Sequence, residues 1–134
     1  MTITGNMVQH HRDGIYLEFT DNSLIADNVS RHNLRYGLHF MFSNHDVYRN
    51  NLFTDNGAGV AVMFSDHIDM TNNRFLENWG GASYGLLLKE IYDSRLQDNI
   101  FRKNTVAVFA EGSNRMKMSG NTFTGNGWAL KMRG

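Results

Sequence analysis

His39, Met41 and Met63 are the residues whose types and spacing first invite chemistry. His39 and Met41 put an imidazole and a thioether two positions apart, and Met63 follows Met41 after 22 residues. On extended backbone, alternate side chains share a face, and this donor set suits soft Cu(I) better than magnesium or calcium. Plain packing accounts for the same residues, since methionine fills irregular gaps beneath a neighbouring protein surface. His45 and His67 repeat the 22-residue spacing, with Asp46, Asp66 and Asp69 close by. Two imidazoles lack a defined third ligand, and a solvated face explains them equally well. His11 and His32 read as turn residues.

Acid–base or lyase chemistry on sugars would need carboxylates, lysine, arginine or histidine gathered across neighbouring segments. Glu18 and Glu111 fall far apart, Lys89 with Glu111 reads as a surface ion pair, and Asp55 and Glu77 read as solvated corners. Ala61, Met63 and Leu87 offer an apolar surface with little hold on a polyanion. On these grounds the residues point away from an enzyme. No P-loop, dinucleotide fingerprint, HExxH or EF-hand pattern occurs.

Composition narrows the partners. Lys+Arg and Asp+Glu are equal at 13 each, so no basic surface for nucleic acid stands out. The absence of cysteine excludes disulfides and thiolate metal sites. No apolar run is long enough to span a bilayer, and the start lacks the basic and apolar regions of a secretion signal. Proline is absent as well, so turns must come from Gly, Asn and Asp.

The elements that position these residues follow from a repeat. Small residues recur at Gly14, Gly37, Gly59, Gly85, Ala107 and Ala129, at intervals of 23, 22, 26, 22 and 22. An asparagine follows each of the first five after 14 residues (Asn28, Asn51, Asn73, Asn99, Asn121), and another after 19 (Asn33, Asn56, Asn78, Asn104, Asn126). Such a period marks a solenoid. Leucine-rich repeats have a similar length, but period-2 alternation after each small residue decides for strands. Ile15/Leu17/Phe19, Leu38/Phe40/Phe42 and Val60/Val62/Phe64 are expected to point inward. Outward, one row stacks Tyr16, His39, Ala61, Leu87, Phe109 and Lys131, and the next stacks Glu18, Met41, Met63, Lys89, Glu111 and Arg133.

The sequence therefore predicts an all-β fold, a single-stranded right-handed parallel β-helix over residues 1–134, with about 22 residues per coil and about six coils. A four-residue corner insertion is expected near residues 79–84 (Trp79-Gly80-Gly81-Ala82-Ser83-Tyr84), as a bulge or a docking knob. Glu90 stands where earlier coils carry Phe42 and Phe64, which predicts that this coil turns outward early. Phe53→Ala is expected to cost more than Asn51→Ala, because it opens a cavity. Both ends fall in coil phase without a cap, so a longer solenoid or another chain is expected to cover an end.

Four stretches carry a family resemblance: Arg35-Tyr36-Gly37-Leu38-His39-Phe40-Met41-Phe42-Ser43, Asn56-Gly57-Ala58-Gly59-Val60-Ala61-Val62-Met63-Phe64-Ser65, Gly80-Gly81-Ala82-Ser83-Tyr84-Gly85-Leu86-Leu87-Leu88-Lys89 and Asn126-Gly127-Trp128-Ala129-Leu130-Lys131. With these the chain resembles the NosD family, periplasmic accessory proteins of nitrous oxide reductase maturation. The resemblance implies a β-helix that works with a NosF/NosY-type ABC transporter and supports copper supply to nitrous oxide reductase in the periplasm. It makes His39, Met41 and Met63 candidate contacts for copper, as Cu(I), and the loop with Trp79 and Tyr84 a candidate partner contact. Family members are longer and carry a secretion signal, so the chain reads as an internal piece or a truncated relative. A carbohydrate-binding or carbohydrate-modifying β-helix is the alternative, and a structural solenoid without its own site a third.

Overall fold

The computed structural model describes residues 1–134, and the chain winds as an all-β right-handed parallel β-helix. Short strands recur at the coil period on three faces. The first face carries Ile15–Glu18, Tyr36–Met41, Gly59–Asp66, the start of Tyr84–Gln97, Val106–Glu111 and Trp128–Arg133. A second carries Thr2–Thr4, Leu24–Ala26, Val47–Arg49, Asp69–Thr71, the end of Tyr84–Gln97 and Asn114–Ser119. The third is a six-stranded sheet from Met7–Gln9 to Thr122–Thr124. All pairings are parallel between successive coils, as a single winding strand requires.

Stacking places like over like. Phe53, Phe75, Phe101 and Phe123 form an internal column with ring centroids 5.4, 4.7 and 5.1 Å apart. Phe53, Phe75 and Phe101 are fully buried. Each buried ring contributes about 1.5–3 kcal/mol by leaving water, and its aromatic neighbours add about 0.5–1.5 kcal/mol. Tyr48 stacks on Phe40 at 4.6 Å in the same core.

The corners are held by asparagine. Asn28 Nδ2 donates to Asn51 Oδ1, Asn51 Nδ2 to Asn73 Oδ1, Asn73 Nδ2 to Asn99 Oδ1 and Asn99 Nδ2 to Asn121 Oδ1. Each acceptor oxygen also takes the backbone N–H of the preceding asparagine, at 2.9–3.0 Å. The row from Asn33 to Asn126 repeats the pattern. Buried turn groups that would otherwise lack partners are thus satisfied within the row.

One local feature differs from expectation. Glu90 does not turn the coil outward: Tyr84–Gln97 runs unbroken, Ile91 is fully buried, and Glu90 takes the same left-handed corner (φ 52°) as Phe42 (51°) and Phe64 (52°). What matters at that corner is the backbone conformation, whichever side chain occupies it. The register also shifts beside Gly59, which faces Tyr36 on one side and Tyr84 on the other. Gly59 has φ 86°, and a β-carbon there would meet the Tyr84 carbonyl oxygen at 1.5 Å, so only glycine fits.

Candidate functional site

The outward rows lie as expected. Tyr16 pairs with His39, His39 with Ala61, Leu87 with Ala61 and Phe109; Glu18 pairs with Met41, Met41 with Met63, and Met63 with Lys89. The apolar inward residues of Tyr36–Met41 pull that strand against the core, which leaves His39 and Met41 together on its other face, both half-buried. Met63 is half-buried directly beside Met41.

His39 is packed between two tyrosines. Its ring centroid lies 5.3 Å from Tyr16, edge-on, and 4.7 Å from Tyr36. Nε2 is shielded from solvent and has no hydrogen-bond partner. Burial lowers the His39 pKa; nearby Asp13 opposes that shift and Arg35 adds to it. An open groove lined by Arg12, Asp13, Tyr16 and Arg35 runs beside the ring. Those neighbours come from the preceding coil or the approach to the strand, so the His39 motif itself gave no sign of them. Tyr16 donates its hydroxyl to Glu18 at 3.0 Å, so the carboxylate nearest Met41 is already engaged. Lys89 lies over the Phe64 ring at 5.8 Å, in place of the expected ion pair with Glu111.

Around the corner, the expectation for Phe19, Phe42 and Phe64 fails. They do not enter the core: Phe19 is 72% and Phe42 42% exposed, and Phe64 is half-buried. All three adopt positive φ (56°, 51° and 52°), which breaks the alternation and turns the third aromatic outward. Their rings form an external stack at 5.3 Å per step. Ser65, Asp66, Glu90 and Tyr92 line a shallow groove with Phe42 and Phe64.

The next corner gathers the second donor set. His45 and His67 stack with ring centroids 4.5 Å apart, and His67 Nδ1 lies 2.7 Å from Asp66 Oδ1. One ligand atom from each of His45, Asp66 and His67 lies within 4.8 Å of the others. The missing third donor is therefore Asp66, legible only as a carboxylate adjoining one histidine. Neighbouring carboxylates serve arginines instead: Asp69 binds Arg95 at 2.6 Å, and Asp93 binds Arg115 at 2.6 and 3.1 Å. The Arg115 hydrogen bond lowers the Asp93 pKa.

The insertion emerges as a loop tied to the coil that follows. Gly80 N–H donates to Thr105 Oγ1 at 2.9 Å, and that hydroxyl donates back to the Gly80 carbonyl at 3.0 Å. Trp79 stays 59% exposed, whereas Tyr84 is half-buried with its ring 5.7 Å from Phe109.

Among solved structures, a double mutant of the periplasmic alginate epimerase AlgG is similar in fold, with TM-score 0.74 and 18% identity over 97% of this chain. The parent epimerase gives TM-score 0.55 and 17% identity over 98%. This chain spans 39% of the length of either epimerase chain. No curated protein matches it. The expectation of a non-enzyme is corrected on two grounds. The coil stack is one that an epimerase also uses, and the exclusion rested on scattered polar groups, whereas His45, Asp66 and His67 converge. The family model described as "Periplasmic copper-binding protein (NosD)" matches residues 1–133, and the chain belongs to that family.

Proposed function

We propose that this chain handles copper on the outward face formed by His39, Met41 and Met63, in the periplasm. One observation carries the reading: Met41 and Met63 are direct neighbours in adjacent coils, on the face where His39 keeps an uncommitted Nε2. Two thioethers and an imidazole fit Cu(I), and half-burial limits water's access to a soft ion. His39, Met41 and Met63 would hold the ion as cargo, and the apolar surround of Ala61 and Leu87 would favour release to another soft-donor protein. A NosF/NosY-type transporter and nitrous oxide reductase are the partners that the family context supplies, and Trp79 is the exposed side chain offered for contact. The test is anaerobic Cu(I) titration against a chromogenic chelator. Binding of one ion per chain is expected, weakened at least about tenfold in Met41→Leu/Met63→Leu, a loss of ~1.4 kcal/mol. Equal affinity in His39→Ala/Met41→Leu/Met63→Leu would remove the reading.

A specific feature favours a second reading, carbohydrate binding or modification. The exposed Phe19–Phe42–Phe64 stack, beside Asp66, Glu90 and Tyr92, offers aromatic faces and carboxylates along one groove. AlgG, with the same coil architecture, is an alginate epimerase. Calorimetry with alginate oligosaccharides tests this: binding abolished by Phe42→Ala/Phe64→Ala supports it, and no heat with the unaltered chain ends it.

A further inference from the structure

His45 and His67 occupy equivalent corners of successive coils, at φ 59° and 53°. The backbone there is fixed independently of any ligand. His45 N–H donates to the Asp66 carbonyl at 3.1 Å, Asp66 N–H donates to Asn44 Oδ1 at 2.9 Å, and Val47 pairs with Asp69 in register. Two imidazoles are therefore presented side by side on one exposed edge.

We propose that His45, Asp66 and His67 form a binding site for a borderline divalent cation, of the copper(II), nickel(II) or zinc(II) class, separate from the thioether face. The donors are available. The His45 ring makes no side-chain hydrogen bond, and the only one of the His67 ring runs from Nδ1 to Asp66 at 2.7 Å. That contact sets His67 Nδ1 and Asp66 Oδ1 side by side, so an ion can take the place of the proton between them and draw in a nitrogen of the His45 ring. Asp66 is free for this because the neighbouring Asp69 and Asp93 are bound to Arg95 and Arg115.

The size fits. Donor atoms around a tetrahedral ion with bonds near 2.1 Å lie about 3.4 Å apart. The three donors already lie within 4.8 Å of one another, on two exposed histidines and a half-buried aspartate. Nitrogen and carboxylate donors without sulfur select against Cu(I) and, through the imidazoles, against magnesium and calcium. A second stacked pair, His10 and His32 at 5.7 Å, serves as an internal control, because His32 points its Nδ1 at Asp55 and no third donor joins the pair within the same reach. The proposal does not rest on the thioether reading: the two donor sets face different sides of a corner and differ in chemistry.

The test uses the full chain stripped of metal, titrated with Cu(II) and with Ni(II) by calorimetry, and examined with Cu(II) by electron paramagnetic resonance. One ion per chain is expected, with nitrogen superhyperfine structure from two imidazoles. His45→Asn and His67→Asn are the informative variants, because asparagine tolerates the left-handed corner and keeps the chain folded. Each should weaken binding at least about tenfold, and Asp66→Asn, which removes the third ligand, likewise. His32→Asn should leave Cu(II) affinity unchanged. Undiminished Cu(II) affinity in His45→Asn/His67→Asn overturns the proposal, as does a spectrum without imidazole nitrogens. Cu(I) titration of the same variants reports separately on the thioether face.

Discussion

Asp46 is a carboxylate buried where the fold gives it one strong partner. Its Oδ1 accepts the Ser23 N–H at 2.7 Å, while Oδ2 has none. Burial raises its pKa from 3.8 to about 6, against the lowering effect of Ser23. The folded state therefore holds this proton more tightly than the unfolded chain, so its contribution to stability falls as pH rises from about 4 to about 6 and stays low above that. The penalty above that window is roughly 2–3 kcal/mol. Asp46→Asn keeps an acceptor for Ser23 and removes the charge. Thermal melts should show it more stable than the unaltered chain at pH 7, with the difference shrinking towards pH 4. Asp46 was visible in the sequence only as an acidic neighbour of His45; its burial depends on a corner whose depth no spacing discloses. Phe19, Phe42 and Phe64 were misread for a related reason, since alternation predicts facing only while the backbone stays extended.

Among the elements, the asparagine rows are the part that spacing locates most securely. Asn51 is nearly fully buried, and its side chain joins four hydrogen bonds: it accepts from Asn28 N–H and Nδ2 and donates to Ile25 O and Asn73 Oδ1. Truncation strips the Asn28 N–H of its partner, at about 1–3 kcal/mol, while Asn28 Nδ2 keeps Ile3 O and Asn73 Oδ1 keeps the Asn51 N–H. Phe53→Ala costs about 3–5 kcal/mol through lost burial and a cavity. In urea titrations Phe53→Ala should therefore destabilise more than Asn51→Ala. An asparagine variant at least as destabilised would mean that the corner loses more than this one partner. Counting residues could identify the corners, but it could not tell how many donors converge on each amide.

For the whole molecule, the winding was legible because every coil repeats one pattern and each strand's partner is its own equivalent a period away. That is why spacing alone puts the outward rows through His39 and Met41 where the strands pair them. Convergence across a corner was not legible. The grouping of Asp66 with His45 and His67, and of Arg12, Asp13 and Arg35 around His39, depends on how tightly the backbone bends between faces. The insertion was placed by an interval of 26 residues in place of 22, yet its tether to Thr105 belongs to packing alone.

Every link in the asparagine rows points the same way along the axis, nitrogen to oxygen, from Asn6 through Asn28 to Asn121. The stack is therefore polar, like a file of magnets: the face beyond Asn121 and Asn126 offers hydrogen, and the face before Asn6 offers lone pairs. Whatever abuts the first must bring carbonyls, and two copies could meet there only head to tail.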